Sequence, residues 1–400
     1  MSVAVIVANI HYAQPLLASM AHDFGVSPTT VGMVVTAGQA GYAVGLILLV
    51  PLGDITPPRS LLVTLVGLNA VALAASTVIP GLTTFVCLMA LVGLVSVAVT
   101  VAMAVAAGLA TDAQRPAALG TLLAGMLTGV LAARAFSGVL AGLIGWRWVY
   151  AVAAILMSFI AFTLHRKLPA TRPHLSLGYR AQLHGVLQAV STQPVLRWRA
   201  TVGGCVFGAF GCFWTTVTFL LAERYRWSEA QIGLFALVGA AGAVSAILGG
   251  RFLSGRPHTQ RWTFTAVIGV VFALSFAPMY LVGNGLAWLI VGVIVMDGAV
   301  QALNVLNQTV AYDLMPEARS RISTVYASAM FLGGAVGTTL GSIAYDHFGW
   351  TGATSVAMAL AVGALLGTLG TRRHEKQKPF DQPARGPKRT RGKLGSVDRS

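Results

Sequence analysis

Apolar residues fill this chain in long runs, and polar residues gather in short clusters between them. From residue 60 to 111 there is no Asp, Glu, Lys or Arg, a stretch of 52 residues. A helical crossing of a bilayer takes roughly 20 residues, so the stretch holds two, divided at Pro80-Gly81. The same rule predicts twelve spans, at about 3–21, 29–52, 60–79, 83–108, 118–144, 148–165, 200–222, 229–250, 262–282, 286–312, 322–345 and 351–371. A barrel would show short alternating strands, and these runs do not alternate. Lipid leaves each backbone polar group to be satisfied within its own segment, which makes the spans helical. The expected fold class is an all-α polytopic membrane protein with twelve transmembrane helices.

Composition agrees. Of 400 residues, 56% are hydrophobic and 10% charged, where a soluble chain has roughly a quarter charged. The net charge of +15 could signal nucleic acid, but its placement is topological. With the N-terminus inside, the inner segments carry 23 of the 27 Lys and Arg. The outer loops carry 3 (Arg147, Arg224 and Arg226), and Arg134 is the remainder. This bias predicts that both termini lie on the cytoplasmic side of the membrane, and no nucleic-acid partner is expected. Residues 372–400 form a basic tail for which no structure is expected. Cys87, Cys205 and Cys212 lie in apolar runs, so neither a disulfide framework nor a metal site is expected. There is no phosphate-binding Gly-rich loop ending in Lys-Ser or Lys-Thr, so ATP drive is not expected, nor is a cofactor.

The hydrophilic stretch 166–199, expected to be a cytoplasmic loop between the halves, divides the spans into six and six, giving halves at 1–165 and 200–371. The halves match at an offset of 204 residues. Gly145-Trp146 maps to Gly349-Trp350, Arg115 to Arg319, and Gly129 to Gly333. Parallel six-helix repeats place a substrate site at their interface near the midplane.

The loop after the second span reads Pro51-Leu52-Gly53-Asp54-Ile55-Thr56-Pro57-Pro58-Arg59, and a weaker second copy reads Gly250-Arg251-Phe252-Leu253-Ser254-Gly255-Arg256. With these loops the chain resembles the major facilitator superfamily over residues 3–371. Span 1, Ala8-Asn9-Ile10-His11-Tyr12-Ala13-Gln14-Pro15-Leu16-Leu17, is similar to a bacterial subgroup of sugar or drug efflux permeases. The resemblance implies a gating loop in which Asp54 and Arg59 help to hold the outward-open state. The chain departs from the pattern of efflux antiporters in two places. Span 5 lacks their Gly-Pro pair, and span 4 lacks the usual arginine.

Arg134 lies 16 residues into span 5, too deep to snorkel, and must face a cavity or a partner. It is a candidate anchor for an anionic or polar substrate, or else a structural arginine on backbone carbonyls. Asp297 is the deep acidic residue; it either carries a proton or neutralises Arg134. Gln301, Asn304 and Gln308 follow it at i+4, i+7 and i+11, on one face of span 10. Asn9, Tyr12 and Gln14 on span 1, Gln39 on span 2 and Trp214 on span 7 complete the cavity candidates. Gly333, Gly337 and Gly341 recur every fourth residue, a spacing that lets two helices approach closely.

The expected function is secondary active transport of a small molecule by alternating access, as proton-coupled efflux, with the efflux direction implied by resemblance alone. The alternatives are an uptake symporter, a facilitator, or an impaired copy whose first helix is clipped close to Met1. An enzyme is not expected, because no catalytic cluster lies within the spans. The expected partners are a small-molecule substrate, protons and the lipid bilayer, with the chain acting as a monomer.

Overall fold

The computed structural model describes residues 2–111, 114–169, 178–240, 258–280, 285–313 and 319–375 of the chain. Among these residues the regular elements are all helical, and nine helices are long and apolar enough to cross a membrane. In order they are α1 (Ser2–Ala8), a 3-10 turn (Gln14–Leu16), α2 (Leu17–Phe24), α3 (Pro28–Leu48), α4 (Leu52–Ile55), α5 (Pro58–Ser76), α6 (Leu82–Val95), α7 (Ala98–Leu109), α8 (Arg115–Ile144) and α9 (Trp146–Lys167). Then follow α10 (Tyr179–Thr192), α11 (Pro194–Arg224), α12 (Glu229–Phe235), a 3-10 turn (Ala236–Gly239), α13 (His258–Leu274), α14 (Phe276–Tyr280), α15 (Leu286–Asp313) and α16 (Arg319–Glu375).

The observed elements differ from the sequence expectation in three places. Span 1 is not one helix, because Pro15 lacks an N–H and crowds the carbonyl four residues earlier, His11. The chain unwinds over 9–13 and re-forms as α2. Spans 11 and 12 run on as α16, bent at Gly349, whose φ of 61° and ψ of −153° leave the helical region. Span 8 is described only as far as residue 240, and its remainder, 241–250, lies outside the described residues, as does the second loop copy at 250–256. The stretch 166–199 is not simply a loop. It contains α10, which buries Gln182, Gly185, Val186 and Ala189 at helical spacing.

Helix ends follow from local chemistry. Ser27 caps α3, accepting from the Thr30 N–H at 3.4 Å, and Pro28 opens the first turn. Ser228 and Gln231 form a reciprocal capping box on α12. Span 4 bends between α6 and α7, where the Ser96 hydroxyl donates to the Val92 carbonyl at 2.6 Å and accepts from Asn69 Nδ2 at 2.9 Å. Ile155, Phe159 and Phe162 are exposed on α9, an outer face suited to lipid.

The two matched Gly-Trp pairs form two matched corners. Gly145 (φ 92°) joins α8 to α9, and Gly349 turns α16. Only glycine adopts such angles without strain. The Trp146 indole N–H donates to Asp23 Oδ2 at 2.7 Å, and the Trp350 N–H donates to the Met279 carbonyl at 2.7 Å. Arg147 also reaches Asp23, at 2.9 Å. Burial alone would raise the Asp23 carboxyl, but Trp146 and Arg147 together hold it below its ordinary range.

The glycine stripe of α16 is a packing seam. A side chain on Gly333 would strike the Gly204 backbone, and one on Gly337 the Gly208 backbone; at Gly341 it would strike Cys212. The partner residues on α11 share the same four-residue spacing, so the two helices touch backbone to backbone.

Candidate functional site

The break in span 1 decides where Gln14 goes. The 3-10 turn points its side chain at α8, and Gln14 Oε1 accepts from Arg134 Nε at 2.8 Å. The Gln14 carbonyl accepts from the Thr218 hydroxyl of α11 at 2.9 Å. The guanidinium carbon of Arg134 lies 4.2 Å from the Trp214 ring centroid and 5.6 Å from that of Phe210. A desolvated cation on an aromatic face gains about 2 kcal/mol, which offsets part of the cost of holding this charge out of water. Arg134 is 2% exposed, and its Nη2 has no hydrogen-bond partner.

Trp214 links both charges. Its ring lies beside Arg134, and its N–H donates to Asp297 Oδ1 on α15 at 3.3 Å. Arg134 and Asp297 are within electrostatic reach, but among the described residues they form no direct ion pair. Asp297 is buried and backed by Gly239, where any larger residue would collide with Oδ2.

Beside these groups is a cavity of about 10 Å³, bordered by Gln14, Arg134, Trp214, Thr218, Ile232 and Phe235. That is room for about one water, so the site is closed in this state. The closure lies toward the end of the bundle that carries residues 22–28, 145 and 225–228. There Ser19 donates to Glu229, and Thr29 donates to the Ser342 carbonyl at 3.2 Å. Thr36 and Thr339 share a hydroxyl contact at 3.0 Å. Toward the opposite end is a larger cavity of about 180 Å³, lined by Val50, Pro58, Thr100, Ala104, Val105 and Ser320.

The structure thus gathers Gln14, Arg134, Trp214 and Asp297. Tyr12 is buried against Phe136, with centroids 6.4 Å apart. Asn9 is buried with neither amide atom paired, and Gln39 is buried with Oε1 unpaired. Gln301 and Asn304 are half-buried, and Gln308 spends an amide N–H on Asn304 Oδ1 at 3.0 Å on the same helix. Gln308 lies about 16 Å along α15 from Asp297, away from the cluster. Arg59 donates to the His165 carbonyl near the C-terminus of α9 and is half-buried. The Asp54 side chain lies outside the described residues.

Three participants escape the sequence reading: Phe210, Thr218 and Gly239. Phe210, Trp214 and Thr218 recur every fourth residue on α11, a signal that was available. A third buried charge, Arg199, closes the hydrophilic stretch 166–199 in the sequence. It is 1% exposed and donates to Asn307 Oδ1 at 2.9 Å.

Comparison with known proteins agrees with this architecture. Uncharacterized transporter YgaY of Escherichia coli O157:H7 is 38% identical, across 90% of this chain and 91% of that protein. Probable transporter SCO4007 of Streptomyces coelicolor is 32% identical, across 90% and 83%. In fold, the chain is similar to a bacterial homolog of the human lysosomal transporter Spinster in an inward-facing, occupied conformation. The TM-score is 0.73 at 13% identity, covering 96% of this chain and 97% of that one. The family model described as Major Facilitator Superfamily matches residues 1–296 and 278–397. The chain is a multi-pass membrane transporter and belongs to the Major Facilitator Superfamily.

Proposed function

We propose that this transporter is a proton-coupled secondary carrier that works by alternating access between two six-helix halves, 1–165 and 200–371, making twelve spans. The observation that carries the reading is the buried cluster of Arg134 and Gln14 with Trp214 and Asp297, one charge from each side of the proposed boundary. A site shared by two bodies changes accessibility when they rock. The repeat supports the division: Gly129 meets α1 as Gly333 meets α11, and the two Gly-Trp corners correspond. Asp297 is the proposed proton carrier, as the buried carboxylate of the cluster.

The Lys and Arg bias favours cytoplasmic termini. In that orientation the Thr36–Thr339 seam shuts the outer side, and the larger cavity lies toward the cytoplasm. A fluorescent protein that matures only in the cytoplasm should therefore light up when fused after residue 400. An active periplasmic reporter at that point would refute the orientation. The efflux direction is what the resemblance to efflux permeases implies. An uptake symporter or a facilitator is distinguished from it by imposed pH gradients.

Opening of the seam is tested by a cross-link. The hydroxyls of Thr36 and Thr339 are 3.0 Å apart, which brings a cysteine pair within disulfide reach. Thr36→Cys/Thr339→Cys should oxidise in membranes and stop transport, with recovery on reduction. Full transport by quantitatively cross-linked protein would rule out this seam as the moving one.

A further inference from the structure

We propose that the substrate is a small organic anion with an apolar, ring-sized body, its acid group held by Arg134 and its body by the aromatic face of α11. The proposal rests on the transporter reading above. The sign of the charge follows from what faces the cavity. Arg134 is the formally charged side chain on its lining, whereas Asp297 stands behind Trp214 and Gly239. Gln14 takes the Nε–H, and Nη2 is buried without a partner. A buried donor left unmade is costly, and more so when it is charged. An oxyanion satisfies that donor, and a cation meets repulsion from it.

The body of the substrate is defined by rings. From Trp214 the centroids run to Phe210 at 6.3 Å, from Phe210 to Phe207 at 5.4 Å, from Phe207 to Phe331 at 5.1 Å and from Phe331 to Tyr42 at 4.2 Å. Phe207, Phe210 and Phe331 are half-buried, whereas most of α11 from Val202 to Leu221 is buried. The run lies between the proposed halves, since Tyr42 belongs to α3 and Phe331 to α16. Gln39, with Oε1 unpaired, lies beside Phe207 and Gly334 and can accept from a hydroxyl or amide on the body.

A consequence follows for coupling. Among the described residues, Arg134 on α8 is the cation in reach of Asp297, Trp214 on α11 is its hydrogen-bond donor, and Gly239 contributes no charge. His11, in reach of Arg134, makes its contact to the Val7 carbonyl at 3.1 Å. A second anion on Arg134 leaves two negative groups around one guanidinium, and a proton on Asp297 restores balance. Anion and proton therefore bind with positive linkage. They travel together, which reverses the efflux direction implied by resemblance.

The test uses full-length purified protein and three probes of one shape: 3-phenylpropionate, 3-phenylpropan-1-ol and 3-phenylpropylamine. The acid should raise the thermal unfolding temperature at millimolar concentration, and the alcohol and amine should not. Arg134→Gln should weaken the acid at least tenfold, Arg134→Lys less, and Phe207→Leu several-fold. In weakly buffered solution near neutral pH, acid binding should take up protons, and Asp297→Asn should bind the acid without that uptake. Stabilisation by the amine alone, equal response in Arg134→Gln, or no response to any probe overturns the anion assignment. Proton release, or no proton change, on acid binding overturns the coupling. The cross-link at Thr36 and Thr339 reports on the transporter reading independently, so the two failures are distinguishable.

Discussion

Arg134→Ala loses substrate binding and transport while the chain still inserts into the membrane. The variant removes the hydrogen bond to Gln14 and the cation beside Trp214. A charged hydrogen bond contributes about 1.5–3 kcal/mol, so affinity falls roughly 10- to 100-fold from one such contact. The variant also strands Asp297 without its cation. Removing one partner of a buried pair costs about 3–5 kcal/mol, and the lower figure suits two groups separated by an indole. Arg134→Lys recovers only part of the function, because an ammonium cannot bond Gln14 and also lie flat on Trp214. The double variant Arg134→Ala/Asp297→Asn regains folding stability relative to Arg134→Ala but not binding. Thermal unfolding and ligand binding on the four proteins separate the two effects. Wild-type binding by Arg134→Ala would remove Arg134 from the site.

The second large effect is on stability. Gly337→Val should cost about 3 kcal/mol or more, above the usual overpacking range. The obstacle is the Gly208 backbone rather than a flexible side chain. Gly120→Ala on α8 is the matched control, since nothing lies within 4 Å of the added carbon, and alanine favours the helix by about 1 kcal/mol. Thermal unfolding in micelles should show a large drop for the first and none for the second. Equal unfolding temperatures would mean that the α11–α16 seam is not a close backbone contact.

The all-helical, membrane-spanning class was legible because lipid demands apolar runs of fixed minimum length and the charges mark where the runs stop. The corners were legible too, since Gly145-Trp146 and Gly349-Trp350 repeat at one offset and both glycines take positive φ. Arg134 and Asp297 announced themselves by their cost. What the sequence concealed was geometric. Pro15 was visible, but that the unwound segment would turn Gln14 onto Arg134 depends on how α1 crosses α8. Gly239 gave no sign of lying against Asp297, since the contact joins residues far apart in the chain. Arg199 was hidden by its position at a span edge, where hydropathy cannot tell a loop charge from a buried one. Gln301, Asn304 and Gln308 share one helix at the spacing of one face, yet Gln308 bonds Asn304 rather than the cluster.

The central claim is that Asp297 couples solute movement to protons, and the most direct test is proton movement in proteoliposomes. Vesicles containing an internal pH dye are challenged with pooled acids, amines and neutral solutes until one moves protons in the wild type. Asp297→Asn, which keeps the shape and can still accept from the Trp214 N–H, should abolish proton movement and gradient-driven accumulation of that solute. Solute exchange across the membrane should survive. Gradient-driven accumulation at the wild-type rate in Asp297→Asn would contradict the account.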